Sequence, residues 1–109
     1  NGYSKSKFPK KYFEYLKNNS HLSAIVSDIV ICQSLQFLAG LSPEADISIS
    51  INVFGMDAVA NGFRERLIDN CALFGVAPQR VILELSEGTT CEFNELEMRK
   101  ITQLRLAGF

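Results

Sequence analysis

The chain has 109 residues, 47% of them hydrophobic and 21% charged, with a formal net charge of -1 at pH 7. That is the composition of one small globular domain and excludes a disordered or fibrous chain. Its three cysteines are widely spaced, without a Cys-x-x-Cys, and it has one histidine, His21; this excludes a zinc centre of the common type and a serine or cysteine triad.

Charge is uneven along the chain. Residues 1–17 carry five Lys against Glu14, and the remainder carries six Lys or Arg against eleven Asp or Glu. Lys10, Lys11, Glu14 and Lys17 fall at near-helical spacing, which reads as a solvated helix face. No aromatic and basic residues interleave along a strand, so neither DNA nor RNA is an expected partner. The longest apolar segment, Ala24 to Leu38, is interrupted by Ser27, Asp28, Gln33, Ser34 and Gln36, and no membrane segment is expected. The basic, polar amino end has no apolar h-region behind it, so no signal peptide is expected. Sparse, odd-numbered cysteines point to reduced thiols and a cytoplasmic location.

In chain order, Pro9 to Asn18 reads as a short helix with Pro in its first turn. Ser20 is placed to cap a longer helix reaching Ala39. Leu22, Ile25, Val26, Ile29, Cys32, Leu35 and Gln36 form its stripe, widened by Val30, Ile31 and Leu38. Gly40 is the expected left-handed stop, and Pro43 prevents continuation. Residues 46–54 alternate strictly: Ile47, Ile49, Ile51 and Val53 against Ser48, Ser50 and Asn52, a strand. A helix is expected from Asp57, as amino cap, to Phe74, with Val59, Phe63, Leu67, Cys71 and Phe74 as its core stripe. Gly62 in its interior weakens it by up to ~1 kcal/mol relative to Ala. Gly75, Val76 and Pro78 give a Schellman-type stop. A second strand at 81–86 sets Val81, Leu83 and Leu85 against Ile82, Glu84 and Ser86. Thr89 to Glu92 has capping-box spacing and opens a last helix with Phe93, Leu96, Glu97, Ile101 and Leu104 on one side, closed by Gly108. Cys32 and Cys71 lie on apolar helix faces and are expected in the core.

The order α-α-β-α-β-α predicts an α/β fold with two parallel strands and a right-handed crossover. The helical segment would occupy residues 1–45 and the βαβα unit residues 46–109. In such a unit Asn52 and Glu84 emerge side by side at the carboxyl ends of adjacent strands, where open α/β sheets and barrels place their sites. An amide oxygen plus a carboxylate is a hard-oxygen pair suited to Mg²⁺ or Mn²⁺. Glu87, just past the second strand, can orient a loop or supply a supporting hydrogen bond.

At these residues the sequence resembles a known family. Ile49-Ser50-Ile51-Asn52-Val53, a helix, Val81-Ile82-Leu83-Glu84-Leu85-Ser86-Glu87, and a helix closing on Leu104-Arg105-Leu106-Ala107-Gly108 look like the middle of the EAL domain. That family comprises bacterial cyclic di-GMP phosphodiesterases built on a modified TIM barrel. Its pattern is roughly Val-Asn-Leu-Ser, then Leu-Glu-Ile-Thr-Glu, then Leu-Arg-x-x-Gly. The resemblance implies that Asn52 and Glu84 are metal ligands and that Glu87 steadies the loop carrying the next acidic motif. It implies metal-dependent hydrolysis of cyclic di-GMP to pGpG, with Mg²⁺ or Mn²⁺ as cofactor. The Glu-Ala-Leu signature is expected upstream of Asn1 and the Asp-Asp-Phe-Gly motif downstream of Phe109. On this reading the chain is an internal, partial barrel fragment of 1–109, inactive by itself. Its unpaired strands and exposed faces are expected to drive homodimerisation or higher self-association. Phe54 stands where Ser is usual in the family and Gly88 where Ser is common. The alternative reading is therefore a degenerate EAL domain, a non-hydrolytic cyclic di-GMP sensor or protein-interaction module. An unrelated small α/β interaction domain is the further alternative.

Overall fold

A computed structural model describes residues 15, 19–42, 44–85 and 93–109. The expected first helix lies outside this set apart from Tyr15, which is helical. Pro43, Ser86, Glu87, the Thr89–Glu92 capping box and Cys91 lie outside it as well.

Helix α1, Ser20–Ala39, runs uninterrupted by Gly or Pro. Ser20 is its first helical residue and Asn19 occupies the capping position, without a side-chain cap. The Asn19 amide donates instead to the Tyr15 carbonyl at 2.9 Å, so it is committed to the preceding turn. At the other end Gly40 is right-handed, at φ -81°, and not the expected left-handed stop. Its N–H still reaches the carbonyls of Gln36 and Phe37, and Leu41 donates to Leu38. The bonds to Phe37 and Leu38 are of the i→i+3 kind and tighten the last turn without a left-handed residue.

The buried face of α1 is also rotated from the expected stripe. Ser23, Ser27, Ile31, Ser34, Leu35 and Leu38 are buried, while Leu22, Ile25 and Ile29 are exposed. Ile31, Leu35 and Leu38 are buried as the widened stripe predicts, but apolar periodicity misplaces its amino-terminal half, because the serines at 23 and 27 are hydrogen-bonded within the core. Residues His21–Ala39 are long and apolar enough to cross a membrane by length and composition, although no membrane segment is expected from the polar residues that interrupt them. Only 28% of that segment is buried: its face carrying Ser23, Ser27 and Leu35 packs into the fold, and Leu22, Ile25, Ile29 and Phe37 are exposed.

Strand β1, Ile49–Val53, pairs in parallel with β2, Val81–Leu85. β1 is shorter than the expected 46–54, because Asp46–Ser48 and Phe54 run outside the ladder, and β2 follows the expected strand as far as Leu85. Ile49, Ile51 and Val53 are buried and Ile47 is exposed. The Ile47 carbonyl accepts from Arg80 Nε at 2.9 Å, tying the approach to β1 to the approach to β2.

The single helix expected between the strands is broken in two. Helix α2, Gly55–Ala58, is one turn long; α3, Phe63–Phe74, follows a left-handed Gly62 at φ +86°. Glycine takes this conformation without the Cβ penalty of other residues, so Gly62 reorients the chain instead of weakening a helix interior. Phe63, Leu67 and Cys71 are then buried on one face of α3, as expected. The Schellman stop is present: Gly75 is left-handed at φ +68°, and Val76 N–H donates to the Cys71 carbonyl at 2.9 Å. A 3₁₀ turn, Pro78–Arg80, leads into β2.

Helix α4, Glu95–Leu106, is capped by Asn94. The Asn94 side chain accepts from the Glu97 N–H at 2.8 Å and Glu97 Oε1 accepts from the Asn94 N–H at 3.0 Å. Glu97 thus serves the cap and not the core stripe, and Leu96 is exposed. Leu104 is the buried contact of α4, with Ile101 and Phe109 packed beside it. Gly108 closes the helix as expected, and Phe109 N–H donates to the Leu104 carbonyl at 3.1 Å.

The architecture is thus mixed α/β: a two-stranded parallel sheet with α1 packed on β1 and on α3. The core gathers Leu35 and Leu38 of α1, Ile51 of β1, Leu67 of α3, Val81 of β2 and Leu104 of α4.

Candidate metal-ligand pair at the strand ends

Alternation along β1 turns Ile49, Ile51 and Val53 into the core and leaves Ser50 and Asn52 on the other side. On β2 the same alternation buries Val81 and exposes Ile82 and Glu84. The ladder aligns Asn52 with Glu84 as direct partners. Each is the penultimate residue of its strand, so both stand at the carboxyl ends of parallel neighbours. Such strands lie ~4.8 Å apart, and both residues are exposed. The two residues singled out as ligands are therefore brought together on the sheet face opposite the core. Glu87 lies outside the described residues.

This arrangement presents one amide oxygen and one carboxylate, hard donors of the kind that hold Mg²⁺ or Mn²⁺. By donor chemistry they would supply at most two positions of such an ion. Among the described residues no group of three or more His, Cys, Asp or Glu converges, so the remaining oxygens of an octahedral ion would come from water or other residues. Phe54, where the family pattern has Ser, is buried at the start of α2 and presents no hydroxyl.

Sequence reasoning missed a second polar cluster close by in the chain. Asp57, expected as an amino cap, lies inside α2 and is only 8% exposed. Its Oδ2 accepts from Ser23 Oγ at 2.6 Å and from Ser27 Oγ at 3.0 Å. The signal was present in α1 as two serines at i and i+4 amid apolar residues, a spacing that stacks them on one face. It was obscured because serine in an apolar helix reads as an interruption.

A third tie links α4 to the α2–α3 break. Lys100 Nζ donates to the Val59 carbonyl at 2.9 Å and to Asn61 Oδ1 at 2.7 Å. The cleft beside it, lined by Asn61, Arg64, Lys100 and Gln103, encloses about 200 Å³. That is below the ~300 Å³ at which small-molecule sites usually begin. Of the described thiols, Cys71 is buried in the core and Cys32, expected there too, is only half-buried. Burial pushes the Cys71 thiol up from its ordinary value.

Comparison with family models, curated proteins and solved structures returns no match.

Proposed function

We propose that this chain supplies two metal ligands, Asn52 and Glu84, to a cyclic di-GMP phosphodiesterase of the EAL type. In this reading β1 and β2 are neighbouring strands of a (β/α) barrel. The observation that carries it is the direct pairing of Asn52 with Glu84 at the ends of adjacent parallel strands. That geometry follows from the same residues and spacing on which the family resemblance rests.

The chemistry is hydrolysis of one phosphodiester of the cyclic dinucleotide: water adds at phosphorus, one P–O ester bond breaks, and linear pGpG leaves. A bound Mg²⁺ or Mn²⁺ supplies charge neutralisation and an acidified water. Asn52 and Glu84 would hold that ion, and both are exposed on the sheet face opposite the core. Two donors from the described residues would leave the rest of the coordination shell to be completed by water or other residues.

Phe54 favours a second reading from a different class, a degenerate EAL domain that binds cyclic di-GMP or a partner without turnover. Its ring belongs to the core, at the strand end where the family pattern offers a hydroxyl.

The test is incubation of the natural full-length protein with cyclic di-GMP and Mn²⁺, following pGpG by chromatography. Turnover abolished by Asn52→Ala and by Glu84→Gln is the expected result. Saturable binding of cyclic di-GMP without turnover selects the sensor. Absence of both binding and turnover overturns the EAL reading and leaves an unrelated α/β interaction domain.

A further inference from the structure

Three buried polar side chains meet where apolar packing would be the simpler solution. Asp57 is 8% exposed, Ser23 4% and Ser27 9%. Removing a carboxylate from water is costly unless hydrogen bonds replace its hydration. Two hydroxyls from consecutive turns of α1 converge on the single oxygen Oδ2. Apolar contacts fix neither direction nor register, whereas hydrogen bonds fix both. The cluster therefore holds α2 against α1 at one defined position.

What it holds is the turn that begins at Gly55, three residues after Asn52. Asp57 N–H and Ala58 N–H both donate to the Phe54 carbonyl, at 3.0 and 3.1 Å, and Val59 N–H donates to Gly55 at 3.1 Å. The end of β1, the α2 turn and the Asp57 side chain thus form a short connected unit. α1, 20 residues long and packed on β1 and α3, is the frame to which it is fixed.

We propose that Asp57, held by Ser23 and Ser27, is a positioning residue for Asn52, fixing the carboxyl end of β1 so that Asn52 stays aligned with Glu84. Its bearing on catalysis rests on the proposed metal-ligand reading; its effect on the strand end does not.

The experiment measures amide hydrogen exchange and Mn²⁺ binding in the full-length protein for wild type, Asp57→Ala, Asp57→Asn and Ser27→Ala. Asp57→Ala is expected to raise exchange across Asn52–Phe54 selectively, with Leu67 and Cys71 of α3 keeping their protection. Mn²⁺ affinity is expected to fall about ten-fold, the lower range seen when a ligand's support is removed. Asp57→Asn keeps a carbonyl oxygen for the two hydroxyls and should restore both readouts. Should Asp57→Ala not fold, Ser27→Ala must show the same local rise in exchange. Unchanged exchange at Asn52–Phe54, or a rise spread evenly over α3 and the sheet, overturns the proposal. A selective rise in a protein whose wild type binds no Mn²⁺ supports the positioning of β1 and removes the metal reading alone.

Discussion

Asn52 and Glu84 face each other across the parallel ladder, one from each strand and both next to its carboxyl end. Their pairing is set by backbone register, so it survives any rearrangement of the side chains. If they are ligands, Glu84→Gln removes the only charge of the pair. Loss of a supporting group alone typically costs 10–100-fold in metal affinity, so loss of a ligand should cost at least about ten-fold. Titration of the full-length protein with Mn²⁺, read by the electron paramagnetic signal of the free ion, checks this. Equal affinity in wild type and Glu84→Gln would exclude Glu84 as a ligand.

Gly62 gives a prediction whose sign depends on the tertiary structure. As an interior helix residue, its replacement by Ala would stabilise the chain by up to ~1 kcal/mol. At φ +86° the same substitution forces a Cβ into the left-handed region, at about 1–2 kcal/mol. The new Cβ would also sit 3.2 Å from Arg66 Nη1, a flexible group that can give way. Gly62→Ala is thus expected to destabilise by about 1–2 kcal/mol, measured as a lower denaturation midpoint at unchanged slope. A raised midpoint would restore the continuous helix.

The two described thiols should differ in reactivity and in their effect on stability. Cys71 is buried and its thiol is raised by desolvation, whereas Cys32 is half-buried. In a Cys91→Ser background, maleimide should modify Cys32 well before Cys71, as peptide mass mapping would show. The native state holds Cys71 neutral above the unfolded thiol value of about 8.5. Its contribution to stability is therefore complete below that pH and is lost as pH rises through the higher native value. Wild type should lose stability more steeply than Cys71→Ala above that point. Parallel pH profiles would remove the effect.

The sheet also makes a prediction about association. Among the described residues it contains two strands, and Ile82, 46% exposed, stands beside Glu84 on its open face. Strand edges and bare apolar sheet faces promote pairing with further chains. Residues 1–109 on their own are expected to self-associate at micromolar concentration, and Ile82→Lys to reduce it. Light scattering that finds a stable folded monomer would end this expectation.

Two alternating strands, an apolar α1 and the stop at Gly75 were all legible in the sequence, because each depends on local chemistry. Period-two alternation assigned the two faces of the strands, and equal phase on both put Asn52 and Glu84 on the same side. The break at Gly62, the rotation of α1 and the burial of Asp57 were decided only by tertiary structure. A glycine reads as a helix interruption or a turn until its backbone angle is known. Ser23 and Ser27 read as polar interruptions until the carboxylate that satisfies them is found 34 and 30 residues away. Local propensity encodes which residues alternate or coil. Whether a polar group is tolerated inside depends on a partner supplied by a distant part of the chain, and only the packed structure brings that partner within hydrogen-bonding distance.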